Sequence, residues 1–469
     1  MKRTNEPLDL TTCNITGGLL KFSLPFLGSS VLQSLYSAVD TVIVGQFAGS
    51  AGLAAVNNVS FVCNAAGNIG LGASAGAAVL IAQYFGAKNQ EGVNRTLGTS
   101  LTIGAFMAVV MSLLVCIFIQ PLLTLLNIPP EARQEAYNYL MIRAVCFLVT
   151  FTYLTLTSAL RGMGDSKRPL YFSAVASAVN VVLDLLFVAV IPWGAGGAAL
   201  ATVISEFAAL VWAFLYLRKH QPGLLTAKLS QYKIHGPTAK TVLKIGIPSS
   251  CQFLFIDFSF IYVNRIINGY GLIAASAVAV GSKINGLAQV GISALSTGVG
   301  TMAGQNIGAG RPDRAGKTVR VGVRCALVTA IVAYAIVALF PEPLVLLFNR
   351  DPAAIAESVR CLRLLTLMVF PAAFFFVYVS MATAVGFTAF SMVCFILDGV
   401  VVRIALTLLL TRCSSWASRG CIWAWDWLPA FPPSSPPSTS TAAHGKSGSC
   451  WSPPDLLKYQ KGAVKKRRL

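Results

Sequence analysis

Gln83-Tyr84-Phe85-Gly86-Ala87 is answered later in the chain by Gln305-Asn306-Ile307-Gly308-Ala309. Pro121 to Asn127, PLLTLLN, is answered by Pro343 to Asn349, PLVLLFN, and Leu24-Pro25 by Ile247-Pro248. From Gln83 onward the two copies keep one register, since 305 lies 222 beyond 83 and 349 lies 222 beyond 127. A long apolar unit therefore occurs twice with its loop motifs in step. Internal symmetry in a hydrophobic chain is a signature of transporters.

Composition points to the same class. Of 469 residues, 55% are hydrophobic and 11% charged, and the mean hydropathy is +0.69, too few charges to cover a soluble surface of this size. At roughly 20 residues per crossing the length allows about twelve spans. Eleven are read directly, at 19–45, 53–81, 97–120, 137–160, 170–192, 195–217, 240–267, 272–302, 319–340, 359–385 and 389–411. The expected fold is an all-α integral membrane protein of two six-helix lobes. Residues 1–220 form the N-lobe, 221–243 a cytoplasmic linker and 244–412 the C-lobe.

The net charge of +19 raises a nucleic-acid reading, which the placement of the charges removes. Lys2 and Arg3 precede the first span, Lys88 and Arg95 follow the second, and Arg161, Lys167 and Arg168 follow the fourth. Arg218, Lys219, Lys233, Lys240 and Lys244 follow the sixth, and Arg311, Arg314, Lys317 and Arg320 the eighth. Alternate connections are neutral or mixed. By the positive-inside rule the N-terminus and every even-to-odd loop are cytoplasmic, and repeats with an even number of spans share one orientation.

The segment after Arg412 departs from the repeat. WASRGCIWAWDW, from Trp416 to Trp427, and PAFPPSSPPSTST, from Pro429 to Thr441, stand where a twelfth span belongs. Proline and hydroxyl residues there do not sustain a lipid-exposed helix. Residues 413–469 read as an aberrant or disordered tail, and a shift of reading frame near residue 412 would explain the abrupt change.

Eleven cysteines lie mostly in apolar spans without metal-ligand spacing and read as small buried hydrophobes. Three histidines cannot build a metal cluster. GRPDRAGKT, Gly310 to Thr318, has five residues between its glycines where a P-loop has four, and HGKS at His444 lacks the upstream glycine. No nucleophile-elbow or zinc-protease motif occurs, so an enzyme is not expected. Uphill transport without an ATP site draws on an ion gradient.

Carboxylates inside spans are then the informative residues, since each costs about 2.5–3.5 kcal/mol to insert. Asp40 stands in YSAVDTVIVG, Tyr36 to Gly45. Asn180 and Asp184 are four apart in the fifth span and share a helical face, as do Thr202 and Glu206 in the sixth. Oxygen ligands of this kind suit sodium or a proton. Glu206, Asp257 and Asn264 are further candidates for a polar cavity. Asp257 with Asn264-Arg265, and Asp398 with Arg403, read equally as internal ion pairs. Phe253, Phe255, Phe258, Phe260 and Tyr262 suit either packing or an apolar cavity.

LPFLGSSVLQSLYSAVDTVIVG (Leu24 to Gly45), QYFGAKN (Gln83 to Asn89), ALRGMGD (Ala159 to Asp165) and QNIGAGRP (Gln305 to Pro312) together resemble the multidrug and toxic compound extrusion family of bacterial exporters, over about Thr16 to Leu410. The resemblance implies twelve helices in two lobes and sodium- or proton-coupled export of cationic, amphipathic drugs. It also implies a polar cluster in the N-lobe, onto which Asp40, Asn180, Asp184 and Thr202 map as cation or proton ligands. The expectation is a monomer in the lipid of the inner (plasma) membrane, N-terminus cytoplasmic, with small-molecule drugs as partners, no nucleic acid and no cofactor beyond the coupling ion. The C-half equivalent of ALRGMGD reads MATAVGF, Met381 to Phe387, without charges. A lipid-linked oligosaccharide flippase is the rival transporter, although its phosphates call for a basic cavity. An inactive product of the altered tail is the other alternative.

Overall fold

Uncharged runs of Ala, Leu, Val and Gly fold as helices in hydrocarbon because a helix satisfies every backbone donor and acceptor within its own segment. The computed structural model describes residues 8–220, 224, 232–269, 272–348 and 352–405, and these form helices and short connections without a strand. The first repeat comprises α1 (Ile15–Phe47), α2 (Gly49–Gly86), α3 (Gln90–Ile117), short α4 (Ile119–Leu125), α5 (Pro130–Val145), α6 (Phe147–Gly162), α7 (Lys167–Asp184) and α8 (Gly194–His220). The second comprises α9 (Gly236–Asn268), α10 (Leu272–Gly308), α11 (Pro312–Leu339), short α12 (Pro341–Leu346), α13 (Pro352–Leu367), α14 (Val369–Val385) and α15 (Thr388–Ile396). Among the described residues nine helices are long and apolar enough to span a bilayer, and α5 with α6 makes a tenth, bent by 50°. Ten of the eleven expected segments lie on helices, as does the described part of the eleventh, 389–405. The expected tail, 413–469, and the place of a twelfth span lie outside the described residues.

Helix boundaries carry the repeat as faithfully as the loop motifs. The second helix ends at 308 against 86, the third starts at 312 against 90, and the short helix at 341 against 119. The two parts of the fourth span begin at 352 and 369 against 130 and 147, all 222 apart. Backbone conformation repeats too. Gly386 (φ 99°) stands 222 after Gly164 (φ 88°), and Gly310 (φ 71°) stands 222 after Lys88 (φ 56°). Both glycines of the first pair make the left-handed turn that ends a helix, which only glycine makes without steric cost. At the second pair the first repeat tolerates a lysine.

Two compact units result, and their boundaries fall inside helices. Among the described residues unit 1 is Leu8 with Pro25–Ser250, and unit 2 joins Asp9–Leu24 to the residues from Cys251 to 405. Each unit thus takes in the first half of the helix that opens the other repeat. In unit 1 the first half of α9 crosses α2 on a seam of small residues. A Cβ on Gly76 would meet the Val242 carbonyl, one on Gly72 would meet Ser250, and Ser250 Oγ donates to the Ile69 carbonyl at 3.0 Å. In unit 2 the first part of α1 lies against α10 in the same way: a Cβ on Gly298 would meet Ser23 and Leu19. Small residues let helix backbones approach closely where no hydrophobic force drives them together.

The repeated loop motifs serve this arrangement. In unit 2 buried Asn306 donates through Nδ2 to the Leu10 carbonyl at 3.2 Å, Arg311 donates to the Thr11 carbonyl at 2.9 Å, and Arg314 donates to the Cys13 carbonyl. In unit 1 Thr102 donates to the Tyr232 carbonyl at 2.7 Å, and Thr99 accepts from the His235 N–H. The chain ahead of each opening helix is tied down by side chains rather than by secondary structure. Asn89 caps α3, accepting from the Gly92 N–H at 2.9 Å, as an N-cap asparagine does.

The core of unit 1 includes Val44, Val59, Leu123, Leu140, Phe147 and Phe151, and unit 2 buries Val263, Val278, Leu362 and Leu365. Large apolar residues on the outer faces, among them Phe106, Ile117, Val190 and Leu339, are exposed. That is the inverse of a soluble surface and suits contact with acyl chains. The cysteines depart from expectation: the eight described ones are free thiols, but only Cys361 is buried. The others are half-buried, and Cys63 and Cys116 pack against the core of unit 1.

Candidate functional site

α1, α5, α6, α7 and α8 carry the polar residues of unit 1. The second half of α1 brings Asp40, half-buried. α7 ends on Asp184, fully buried, with Asn180 one turn earlier at 1% exposure. Directly after Asp184 the helix widens into a π-helical turn, Leu185–Val190. Such turns are rare and concentrate at functional sites.

The Asp40 and Asp184 carboxyls are immediate neighbours, yet no hydrogen bond of good geometry joins them. Asp40 Oδ1, both carboxylate oxygens of Asp184, and both amide atoms of Asn180 are buried without a hydrogen-bond partner. Leaving one buried polar atom unsatisfied costs about 1–3 kcal/mol, and a charged one more. Four of these atoms are oxygens, acceptors that a cation or a proton could satisfy, and the fifth, Asn180 Nδ2, is a donor. Hard oxygen donors fit an alkali cation, and two facing carboxyls equally fit a shared proton. Among the described residues no group of three or more His, Cys, Asp or Glu forms a metal site, so the donor set is two carboxylates with neutral oxygens.

The other expected residues fall into three situations. Thr202 on α8 donates to the Ala198 carbonyl of its own helix at 2.9 Å, which leaves its oxygen lone pairs for a ligand. Glu206, one turn further, is engaged elsewhere: Arg143 Nη1 lies 3.3 Å from Oε1, and Thr150 Oγ1 donates to Oε2 at 2.5 Å. Asp257 and Asn264 belong to unit 2, where Asp257 is half-buried and Asn264 exposed on α9. In the same unit Arg403 lies over the Phe260 ring, 4.5 Å from its centre, a cation–π contact.

Arg143 is the residue that sequence reasoning passed over. It stands in MIRAVCF, Met141 to Phe147, inside a span, where a cation is as costly as a carboxylate. A search for both signs of charge finds it. Its charge acts on Asp40 as well as on Glu206, with Tyr36, Cys63 and Tyr139 around it.

A half-buried and a fully buried carboxylate thus stand on the first and fifth spans of a twofold repeat. In comparison with known proteins, the family model MatE matches residues 25–186 and again 248–409, one match per repeat. The chain belongs to the MatE family of multidrug efflux transporters. This MatE chain is 29% identical over 371 residues to the probable multidrug resistance protein YoeA of Bacillus subtilis, covering 77% of itself and 80% of the relative. It is 27% identical to the probable multidrug resistance protein NorM of Thermotoga maritima (72% and 74% covered) and 26% identical to an FAD transporter of Shewanella oneidensis (71% and 74%). In fold it matches an outward-facing multidrug resistance MATE transporter with a TM-score of 0.85 at 19% identity, each chain covered in full. A second match is a MOP superfamily transporter from Pyrococcus furiosus, TM-score 0.85 at 20% identity, with 91% and 95% covered. The MatE chain is a multi-pass membrane protein.

Proposed function

We propose that this chain exports cationic, amphipathic drugs in exchange for sodium or protons, by alternating access of two lobes to the two sides of the cell's inner (plasma) membrane. The lobes are taken as 1–220 and 244–412, joined by a cytoplasmic linker at 221–243, with the N-terminus cytoplasmic and the working unit a monomer. The observation that carries the reading is the set of orphaned polar atoms on Asp40, Asn180 and Asp184. Two neighbouring carboxylates in a low-dielectric site are destabilised until a cation or proton joins them. Asp40, Asn180, Asp184 and the oxygen of Thr202 are the ligands assigned to that cation.

Occupancy of this site changes the charge of the N-lobe. With the site empty, the negative charge favours a cationic drug; with proton or sodium bound, that attraction is lost and the drug leaves. A ligand shifts a conformational equilibrium only by its differential affinity for the two states, so drug and ion compete through one electrostatic balance. The relatives named as multidrug resistance proteins support the substrate class. The acidic cluster also weighs against a lipid-linked oligosaccharide, whose phosphates call for positive charge.

The test is ethidium release from vesicles containing the purified chain, with sodium and proton gradients imposed separately. Release driven by either gradient, and lost in a well-inserted Asp40→Asn variant, is the expected result. Release by Asp40→Asn at the native rate refutes the assignment.

A further inference from the structure

The fourth span of the first repeat is broken at Cys146 and bent by 50° between α5 and α6. The equivalent position in the second repeat is Met368, between α13 and α14, yet Ala354–Val385 runs on there as one span. The polarity of the flanking residues differs. Arg143 and Thr150 flank the first break, whereas Leu365 and Ala372, each 222 later, flank the second. Both Arg143 and Thr150 reach Glu206 on α8, one from each side of the break and one to each carboxylate oxygen. Ser112 Oγ donates to the Ala144 carbonyl at the break, 2.6 Å away. The bend is therefore clasped through Arg143 and Thr150, whose counterparts in the straighter copy, Leu365 and Ala372, are apolar.

This clasp fixes a permanent positive charge inside unit 1. The side chains of Arg143 and Glu206 are 12% and 18% exposed, and arginine does not give up its proton in a protein. The groups facing Arg143 are Tyr36 and Asp40 on α1, Cys63 on α2, Tyr139 on its own helix, Cys146 at the break and Glu206 on α8. Asp184 faces Asp40 in turn. Each carboxylate oxygen of Glu206 is thus engaged by one arm of the clasp.

We propose that Arg143 and Glu206 are positioning residues that set how strongly the Asp40–Asp184 pair holds its cation. Arg143 weakens that hold by placing a fixed positive charge beside the pair, and Glu206 limits the weakening by drawing the guanidinium to itself. The inference rests on the reading of Asp40 and Asp184 as the coupling site.

The test titrates the purified full-length chain, without drug, with sodium chloride and separately with acid. It follows the cation's protection against thermal unfolding, taking only the part that Asp40→Asn removes. Arg143→Gln lowers the half-effective cation concentration by about tenfold, the scale of one unit charge at short range in a partly shielded site. Glu206→Gln raises it by a similar factor, Arg143→Lys stays near the native value, and the neutral double variant R143Q/E206Q returns towards it. Opposite signs for the two single variants are something a purely structural role does not produce. Shifts of the same sign, or none, overturn the proposal and leave the coupling site standing. If Arg143→Gln does not fold, the Glu206→Gln arm decides alone, and an unchanged or lower half-effective concentration overturns the proposal. Absence of any protection that Asp40→Asn removes overturns the coupling-site reading and this inference with it.

Discussion

Gly72 and Gly67 lie five residues apart on α2, and the same substitution at each is expected to move stability in opposite directions. A Cβ on Gly67 meets nothing within 4 Å. Alanine there gains the helix-propensity difference over glycine, about 1 kcal/mol. A Cβ on Gly72 falls on Ser250, against both its side-chain oxygen and its backbone N, and only 2.6 Å from its Cα. No rotamer change clears a backbone atom, so α2 and the first half of α9 have to part. Overpacking of this kind costs about 1–3 kcal/mol, and moving the helices apart also loosens the bond from Ser250 Oγ to the Ile69 carbonyl. After subtracting the propensity gain, Gly72→Ala is expected to destabilise by up to about 2 kcal/mol, leaving the two variants about 1–3 kcal/mol apart. The assay is thermal unfolding in detergent followed by tryptophan fluorescence, with half-lives at one temperature compared where unfolding is irreversible. Gly72→Ala equal to or more stable than Gly67→Ala would refute the close crossing of these helices.

Two further outcomes concern the loops. Lys88→Gly is expected to stabilise the chain by about 0.5 kcal/mol, as relief of left-handed backbone outweighs the added chain entropy of glycine; a loss in melting temperature would contradict this. Asp165, 4% exposed between α6 and α7, has its carboxyl pushed above the ordinary range by burial, against the pull of Arg168 at 3.6 Å and the Arg168 N–H. Because the folded chain holds that proton more tightly than the unfolded one, stability from this group is present below about pH 4 and falls as pH rises through the raised value. Asp165→Asn flattens that fall, which stability measured between pH 4 and 7 detects; an unchanged slope argues against a buried ionisable group there.

How far these features were open to sequence reading depended on whether their cause was local. Gln83 and Gln305 announced the repeat because loop chemistry and helix ends are written in adjacent residues, and the helix boundaries keep the same 222 spacing. Asp40 and Asp184 stand out in the sequence because a carboxylate in an apolar span is costly wherever it occurs, and Asn180 because it shares a helical face with Asp184. The break at Cys146 was not visible, for neither glycine nor proline marks it, and 137–160 read as one span. Its partners, Ser112 and Glu206, come from distant helices. For Glu206 the i, i+4 relation to Thr202 is local and legible, while its engagement by Arg143 and Thr150 is tertiary and is not.

The exchange of opening half-helices has a consequence for the chain's ancestry. If a single six-span ancestor was duplicated, fusion let each copy lend its first half-helix to the other unit, where Gly76 and Gly298 leave it room. Cutting the chain in the linker would then not recover two working ancestors. A fragment ending at residue 220 keeps α2 with its row of small residues but loses the stretch from Gly236 to Ser250 that fills it. Such fragments are expected to recover order only when made together, as complementary parts of one molecule.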